Sequence, residues 1–246
     1  MAHLLGDVTA VLMARNPRVG AVKTRLTVGN AFSQAEARQV AGIMLRGIAL
    51  RLQAAGARLV LAVTPDEGGA ELAVELGLAG EQVEVLGQGP GDFGRRLGHV
   101  WRQVGTSGPV AFFGGDSPDI PAAALAAIPA TLATSDIAIG PTADGGYWTL
   151  AAAKHRPEVL VDIDWGSAGV YDQTCRRALD AGLVVGSLPL WHDVDHPGDV
   201  QALRLRLCQL PSIASGQPDG TDPLLWMAEQ LDRLEPLNSP RQSTPS

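Results

Sequence analysis

Several protein classes are set aside by what the chain lacks. It has only two cysteines, Cys175 and Cys208, both in helix-like segments and neither in a metal or redox spacing, so reduced structural thiols are expected. No basic run offsets a net charge of −7, which argues against a nucleic-acid-binding surface and leaves any phosphate work to local basic residues. No run approaches the apolar length of a membrane span. The N-terminus also lacks a cationic region followed by an apolar stretch of signal-peptide length, and the expectation is a soluble cytoplasmic protein. No Pro/Gly/Ser-rich linker interrupts residues 7–210, and there is no internal repeat. One domain over 1–210 is expected, followed over 211–246 by a linker, a short helix at 222–234 and a disordered tail from Asn238.

What is present is an α/β pattern. With 46% apolar residues a sizeable core is available, and 29 glycines and 17 prolines imply many tight turns. Strand-like runs at Val8–Met13, Leu59–Val63, Gln82–Leu86, Val110–Phe113, Ser135–Ile139 and Leu183–Leu188 alternate with helical stretches. Ser33-Gln34-Ala35-Glu36 has the form of a capping box and opens a helix to about Ala55, and Ser167 is a natural cap for a helix over 168–181. The β-α-β rhythm favours a parallel sheet, and the fold class expected is α/β with a mixed, mainly parallel central sheet flanked by helices.

The run Val110–Phe113 stops abruptly at Gly114-Gly115-Asp116-Ser117-Pro118-Asp119. Open α/β sheets place their ligands at the carboxyl ends of strands, and two hard oxygen donors there suit Mg²⁺ or Mn²⁺ carrying phosphates. Asp116 capping the turn and Asp119 capping the helix after Pro121 is the structural alternative. The loop after the first strand carries Arg15, Arg18, Lys23 and Arg25 and is placed to wrap a nucleotide's phosphates, although it lacks the spacing of a P-loop. A glycine-rich loop at 87–94 lets Gln88 offer an amide to a base or sugar. Asp144-Gly145-Gly146 reads as a hairpin turn that also presents one carboxylate beside Tyr147 and Trp148, whose rings could stack on a sugar or base. In Trp191–Asp199 the alternation puts Asp193 and Asp195 on one side of an extended segment, towards one cation. Pro197 starts the next helix, and His192 with His196 lacks the third soft ligand of a zinc site.

Six motifs in order, spanning residues 8 to about 207, resemble a bacterial family of glycosyltransferase-A-type proteins related to nucleotide-diphospho-sugar transferases and long classed as a domain of unknown function. The family's Lys-x-Pro-x-Pro-Gly-x-Val-Lys-Thr-Arg-Leu is met by residues 15–26, with Arg15 in place of lysine and Val19 in place of the second proline. Gly89–Arg96, Gly114–Ile120, Gly140–Tyr147, Trp165-Gly166-Ser167 and Asp193–Asp199 resemble the others. The resemblance implies a nucleotide-diphospho-sugar-transferase-type, Rossmann-like fold. It also implies a nucleotide held by Arg15, Lys23, Thr24, Arg25, Gln88 and Arg95, and a metal (Mg²⁺ or Mn²⁺) held by Asp116 with Asp195 as a second contact. Asp144 would orient or deprotonate an acceptor hydroxyl, with Lys23 also catalytic and Tyr147 and Trp165 on the acceptor side. The implied partners are a nucleotide-sugar or nucleoside triphosphate and a small-molecule acceptor. Glycosyl transfer is the first expectation. Nucleotidylyl transfer with release of pyrophosphate, guanylyltransferase-like, and non-catalytic nucleotide binding are the alternatives.

Overall fold

The computed structural model describes residues 3–19, 22–78, 83–105, 108–209 and 222–234. The expected linker over 210–221, the tail from Asn238, the motif glycine Gly20 and the strand start at Gln82 lie outside them. Seven strands form one sheet: β1 (Thr9–Arg15), β2 (Arg58–Thr64), β3 (Val83–Gly87), β4 (Val110–Gly114), β5 (Ile137–Pro141), β6 (Tyr147–Ala152) and β7 (Val185–Ser187). Their order is β3-β2-β1-β4-β6-β5-β7, and β6 pairs antiparallel with β4 and β5 while the other pairs are parallel. This is the mixed, mainly parallel sheet expected.

Each central strand is apolar throughout because helices cover both faces. Leu12, Leu61, Phe113 and Ala138 point to one face, where α1 (Gln34–Ala54), α2 (Gly69–Glu75) and α4 (Ala122–Leu132) pack. Val11, Val60, Phe112 and Ile139 point to the other, against α3 (Phe93–Val104) and α5 (Val170–Asp180). A third cluster joins α1 to α6 (Pro197–Cys208) and α7 (Pro223–Asp232). There Gly47 lets the helices meet closely, since a Cβ at this position would lie 2.8 Å from Met227 Cε.

Local signals account for most boundaries. The Ser33 hydroxyl accepts from Glu36 N–H and the Glu36 carboxylate accepts from Ser33 N–H, the capping box expected. The hairpin between β5 and β6 turns at Thr142–Gly146, where Gly145 has φ +90° and a Cβ would meet Ala168 O at 1.9 Å. Glycine is therefore required on both backbone and packing grounds.

Two expected caps are corrected. Helix α5 starts at Val170 after Gly169, and the Ser167 hydroxyl accepts from Gly169 N–H and Gln173 Nε2 in the preceding turn instead of capping. Asp119 does not cap α4. Its buried carboxylate accepts from Arg206 Nε at 2.6 Å and Trp191 Nε1 at 3.2 Å, tying the β4 loop to α6. This demand for a neutralising partner in the interior removes it as a cation ligand. Both cysteines are free and helical, and among the described residues no helix is long and apolar enough to cross a membrane.

Candidate active site

The register of β1 against β4, with Met13 opposite Gly114, sets the carboxyl ends of the two strands side by side. A cleft of about 450 Å³ opens there, lined by Arg15, Lys23, Thr24 and Arg25 from the first loop, Gly114–Asp116 from the second, and Asp195. The sequence-predicted basic loop and acidic loop thus share one cleft. Lys23 sits in the left-handed region (φ 48°), and its ammonium is nearly enclosed, with only 10% of the side chain exposed. It lies 2.6 Å from Asp116 Oδ1 and 2.9 Å from Asp195 Oδ1, and it donates to Val194 O at 2.6 Å. Burial alone would lower its pKa. The charges of Asp116 and Asp195 outweigh that effect and hold it above the ordinary lysine value. Arg25 closes the cluster by donating to Asp195 Oδ2 at 2.9 Å.

A second cavity of about 410 Å³ adjoins the cleft and shares Arg25 and Asp195 with it. Asp144, His192, Asp193 and Asp199 are among its lining residues. Here the alternation expectation is corrected: Asp193 and Asp195 do not converge on one partner. Asp195 faces Lys23 and Arg25, whereas Asp193 accepts from the Ser117 hydroxyl at 2.8 Å. Burial, reinforced by the charges of Asp144 and Asp116, pushes the Asp193 carboxyl up to about 6. For Asp144, burial would also raise the pKa. Hydrogen bonds from Thr142 Oγ1 (2.6 Å) and Gly146 N–H (3.0 Å), together with one from Asp193, hold it below the usual carboxylate value. Below about pH 6 the pair is therefore split, with the proton on Asp193 and the charge on Asp144, a pattern of paired carboxylates with separate roles. Among the described residues no three His, Cys, Asp or Glu side chains form a metal-ligand set on their own.

Residues 48–167 match the model of DUF2064, described as an uncharacterized protein family conserved in bacteria. The match covers the middle of the chain, from α1 to the turn before α5. No curated protein matches the sequence. Among solved structures, the chain is similar to a protein from Desulfovibrio desulfuricans G20, provisionally assigned as a nucleotide-diphospho-sugar transferase. The identity is 28%, with 95% of this chain and 98% of that chain covered, at a TM-score of 0.72. It is also similar to the inositol-1-phosphate CTP transferase from T. maritima, at 15% identity, with 92% and 97% covered and a TM-score of 0.51. At that identity the second likeness concerns the fold. The fold class expected from the sequence is the one found.

Several other expected site residues lie elsewhere in the fold. Gln88 is buried: its Nε2 donates to Ala14 O and Ala62 O, and its Oε1 accepts from Arg96, so its amide braces the ends of β1 and β2 and has no donor left for a base or sugar. Arg95 lines a different cavity, on the outer side of α3 with Trp165, and its nearest carboxylate is Asp92 at 3.7 Å. Tyr147 packs against the α3/α5 core with its hydroxyl buried, and burial raises its pKa. Trp165 meets Phe93 edge-on at 5.1 Å and Tyr147 at 6.5 Å. Since neither ring is among those lining the two adjoining cavities, the geometry does not bring the two aromatics to the acceptor side. Trp148 is likewise core, its indole N–H donating to Pro189 O. Ser117, the hydroxyl partner of Asp193, is a residue that the sequence reading left out of the site, and it set Asp193 beside Asp195 instead. The signal was there in the alternation 193/195, but which carboxylate takes a cation depends on a loop distant in the chain.

Proposed function

We propose that the chain is a metal-dependent transferase that uses a nucleotide-activated donor, moving a glycosyl group from a nucleotide-diphospho-sugar to a hydroxyl-bearing acceptor. The observation that carries this reading is the convergence of Asp116 and Asp195, from loops far apart in sequence, on one cation position at the mouth of a basic cleft. Lys23 holds that position with its ammonium. Mg²⁺ is commonly bound through one or two carboxylates plus substrate phosphates and waters, so this donor set fits Mg²⁺ or Mn²⁺ arriving with a nucleotide. Bound there, the ion would neutralise charge on the phosphate oxygens and on the departing diphosphate.

The remaining work falls to the chain's own side chains. Arg15 and Arg25, both exposed at the cleft, fork onto phosphate oxygens, while Lys23 positions Asp116 and Asp195 and shares its charge with the incoming phosphates. Thr24 adds a hydroxyl at the same rim. Asp144, kept ionised by Thr142 and Gly146, accepts a hydrogen bond from the acceptor hydroxyl and fixes its direction of attack. It takes the proton only as the new bond to the anomeric carbon forms, because its lowered pKa makes it a weak base before that.

Nucleotidylyl transfer is the second reading, and one observation favours it. Asp116 stands in Gly-Gly-Asp-Ser-Pro without the neighbouring carboxylate of the Asp-x-Asp motif common in metal-dependent glycosyltransferases, and its companion comes from Asp195 instead. A thermal-shift panel of nucleotide-diphospho-sugars and nucleoside triphosphates, each with and without Mg²⁺ or Mn²⁺, separates the readings, since a ligand of the native state raises the melting temperature. A metal-dependent rise with one nucleotide-sugar supports glycosyl transfer. A rise confined to a triphosphate moves the assignment to nucleotidylyl transfer, and no rise with any of them counts against both.

A further inference from the structure

On the far side of α1 the fold builds a second concavity whose charge runs against the rest of the molecule. A groove of about 450 Å³ lies between α1, α2 and α7, with Arg18, Arg38, Arg46 and Arg233 on its walls and Trp226 among its lining. Arg38, Gly42 and Arg46 recur at four-residue spacing and share one stripe of α1. A Cβ at Gly42 would meet nothing within 4 Å, so the helix leaves the groove open between its two arginines.

The chain carries a net charge of −7, and half of its described arginines meet carboxylates, among them Arg58 with Glu84, Arg156 with Asp136, Arg177 with Asp162 and Arg206 with Asp119. In the groove only Arg18 does so, with Glu75 at 2.7 Å. Among the described residues, Arg38, Arg46 and Arg233 have no carboxylate at ion-pair distance. The Arg46 guanidinium lies 4.7 Å over the Trp226 ring, and its Nε is buried without a hydrogen-bond partner. Three uncompensated cations in one small concavity repel one another, and an unsatisfied buried donor on a charged group is costly.

We propose that this groove binds a small polyanion carrying phosphate groups, at a site separate from the donor cleft. Its volume suits a small ligand and is too confined for a duplex. Arginine forks match phosphate oxygens bidentately, and such a ligand supplies both the missing counter-charge and an acceptor for the unsatisfied Arg46 donor. The proposal does not rest on the transferase assignment.

Isothermal titration of the full chain with inorganic pyrophosphate, in EDTA at low ionic strength, tests it. The variants are Arg38→Ala/Arg233→Ala, the charge-keeping Arg38→Lys/Arg233→Lys, and Arg15→Ala/Arg25→Ala in the donor cleft. Arg38 and Arg233 are exposed, so their variants are expected to melt as the wild type does. Saturable binding is expected to include a component that is weakened at least about tenfold by the alanine pair at positions 38 and 233, partly restored by the lysine pair and retained by the cleft pair. Absence of saturable binding by the wild type, equal affinity after Arg38→Ala/Arg233→Ala, or binding lost only with Arg15→Ala/Arg25→Ala would overturn it. So would tighter binding of a single-stranded oligonucleotide that is lost in the same groove variant, which would reassign the arginines to nucleic acid.

Discussion

The donor cleft and the acidic cavity beside it share Asp195 and Arg25, yet they treat their carboxylates in opposite ways. In the cleft, Asp116 and Asp195 close on the Lys23 ammonium, and each negative charge has a positive one within 3 Å. In the cavity, half-buried Asp193 meets Asp144 and Asp116 with only the Ser117 and Thr142 hydroxyls to offset their charge, and it responds by holding a proton to higher pH. Identical side chains thus divide into charge carriers and a proton carrier according to whether a cation reaches them. The difference follows from one residue: Lys23 reaches the first group and not the second.

Removing the carboxylate on the cleft side should have the largest effect. Asp116→Ala is expected to lower turnover with the donor identified by the thermal-shift panel by roughly 10²–10³-fold, the range for loss of one strong electrostatic contact to the reacting phosphates. Its fold should be intact, because the Asp116 side chain is more than half exposed and Lys23 keeps Asp195 and Val194 O. Circular dichroism and steady-state rates check both parts. A variant that loses stability but keeps its rate would make Asp116 structural.

Removing the cation instead should turn the cleft into a copy of its neighbour. Lys23→Met leaves Asp116 and Asp195 facing each other across the space the ammonium held. We expect a loss of about 1–3 kcal/mol in urea unfolding, less than for a fully buried pair because both carboxylates retain solvent contact. Added Mg²⁺ should restore more stability to Lys23→Met than to the wild type, since it takes up the vacated charge. An Mg²⁺ effect in neither protein would mean that the carboxylates do not form a cation site.

How much of this could be read from the chain depends on the range over which each feature is fixed. The strands, α1 with its Ser33 box and the Asp144-Gly145-Gly146 hairpin are dictated by neighbours within a few residues, and they appear where the periodicity and turn chemistry put them. The meeting of the basic loop with Asp116 also followed, because parallel strands deliver their following loops to one edge. What could not be read were partners fixed by packing. Gln88 looked free in a glycine-rich loop, but the β1 and β2 carbonyls take its amide. Asp119 looked like a cap until Arg206, on α6, reached it. Tyr147 and Trp165 looked like ligand-facing rings, yet the α3 face needed them to close its core.

The smallest expected effect concerns Asp193 and is visible only as a change with pH. In the folded chain its carboxyl titrates near 6, against 3.8 as the ordinary value. Between those two pH values the folded state binds more protons than the unfolded one, so stability falls as pH rises through this window and stays lower above it. Asp193→Asn keeps an oxygen for the Ser117 hydroxyl but removes the ionisation. Relative to the wild type it should therefore gain stability between pH 4.5 and pH 7.5, by a few degrees in melting temperature, given roughly 2–4 °C per kcal/mol for a chain of this size. Paired melts at the two pH values in low salt measure the gain. If the difference between the two proteins does not change with pH, Asp193 ionises like a surface carboxylate, and the contrast between the cavity and the cleft reduces to the presence of Lys23 alone.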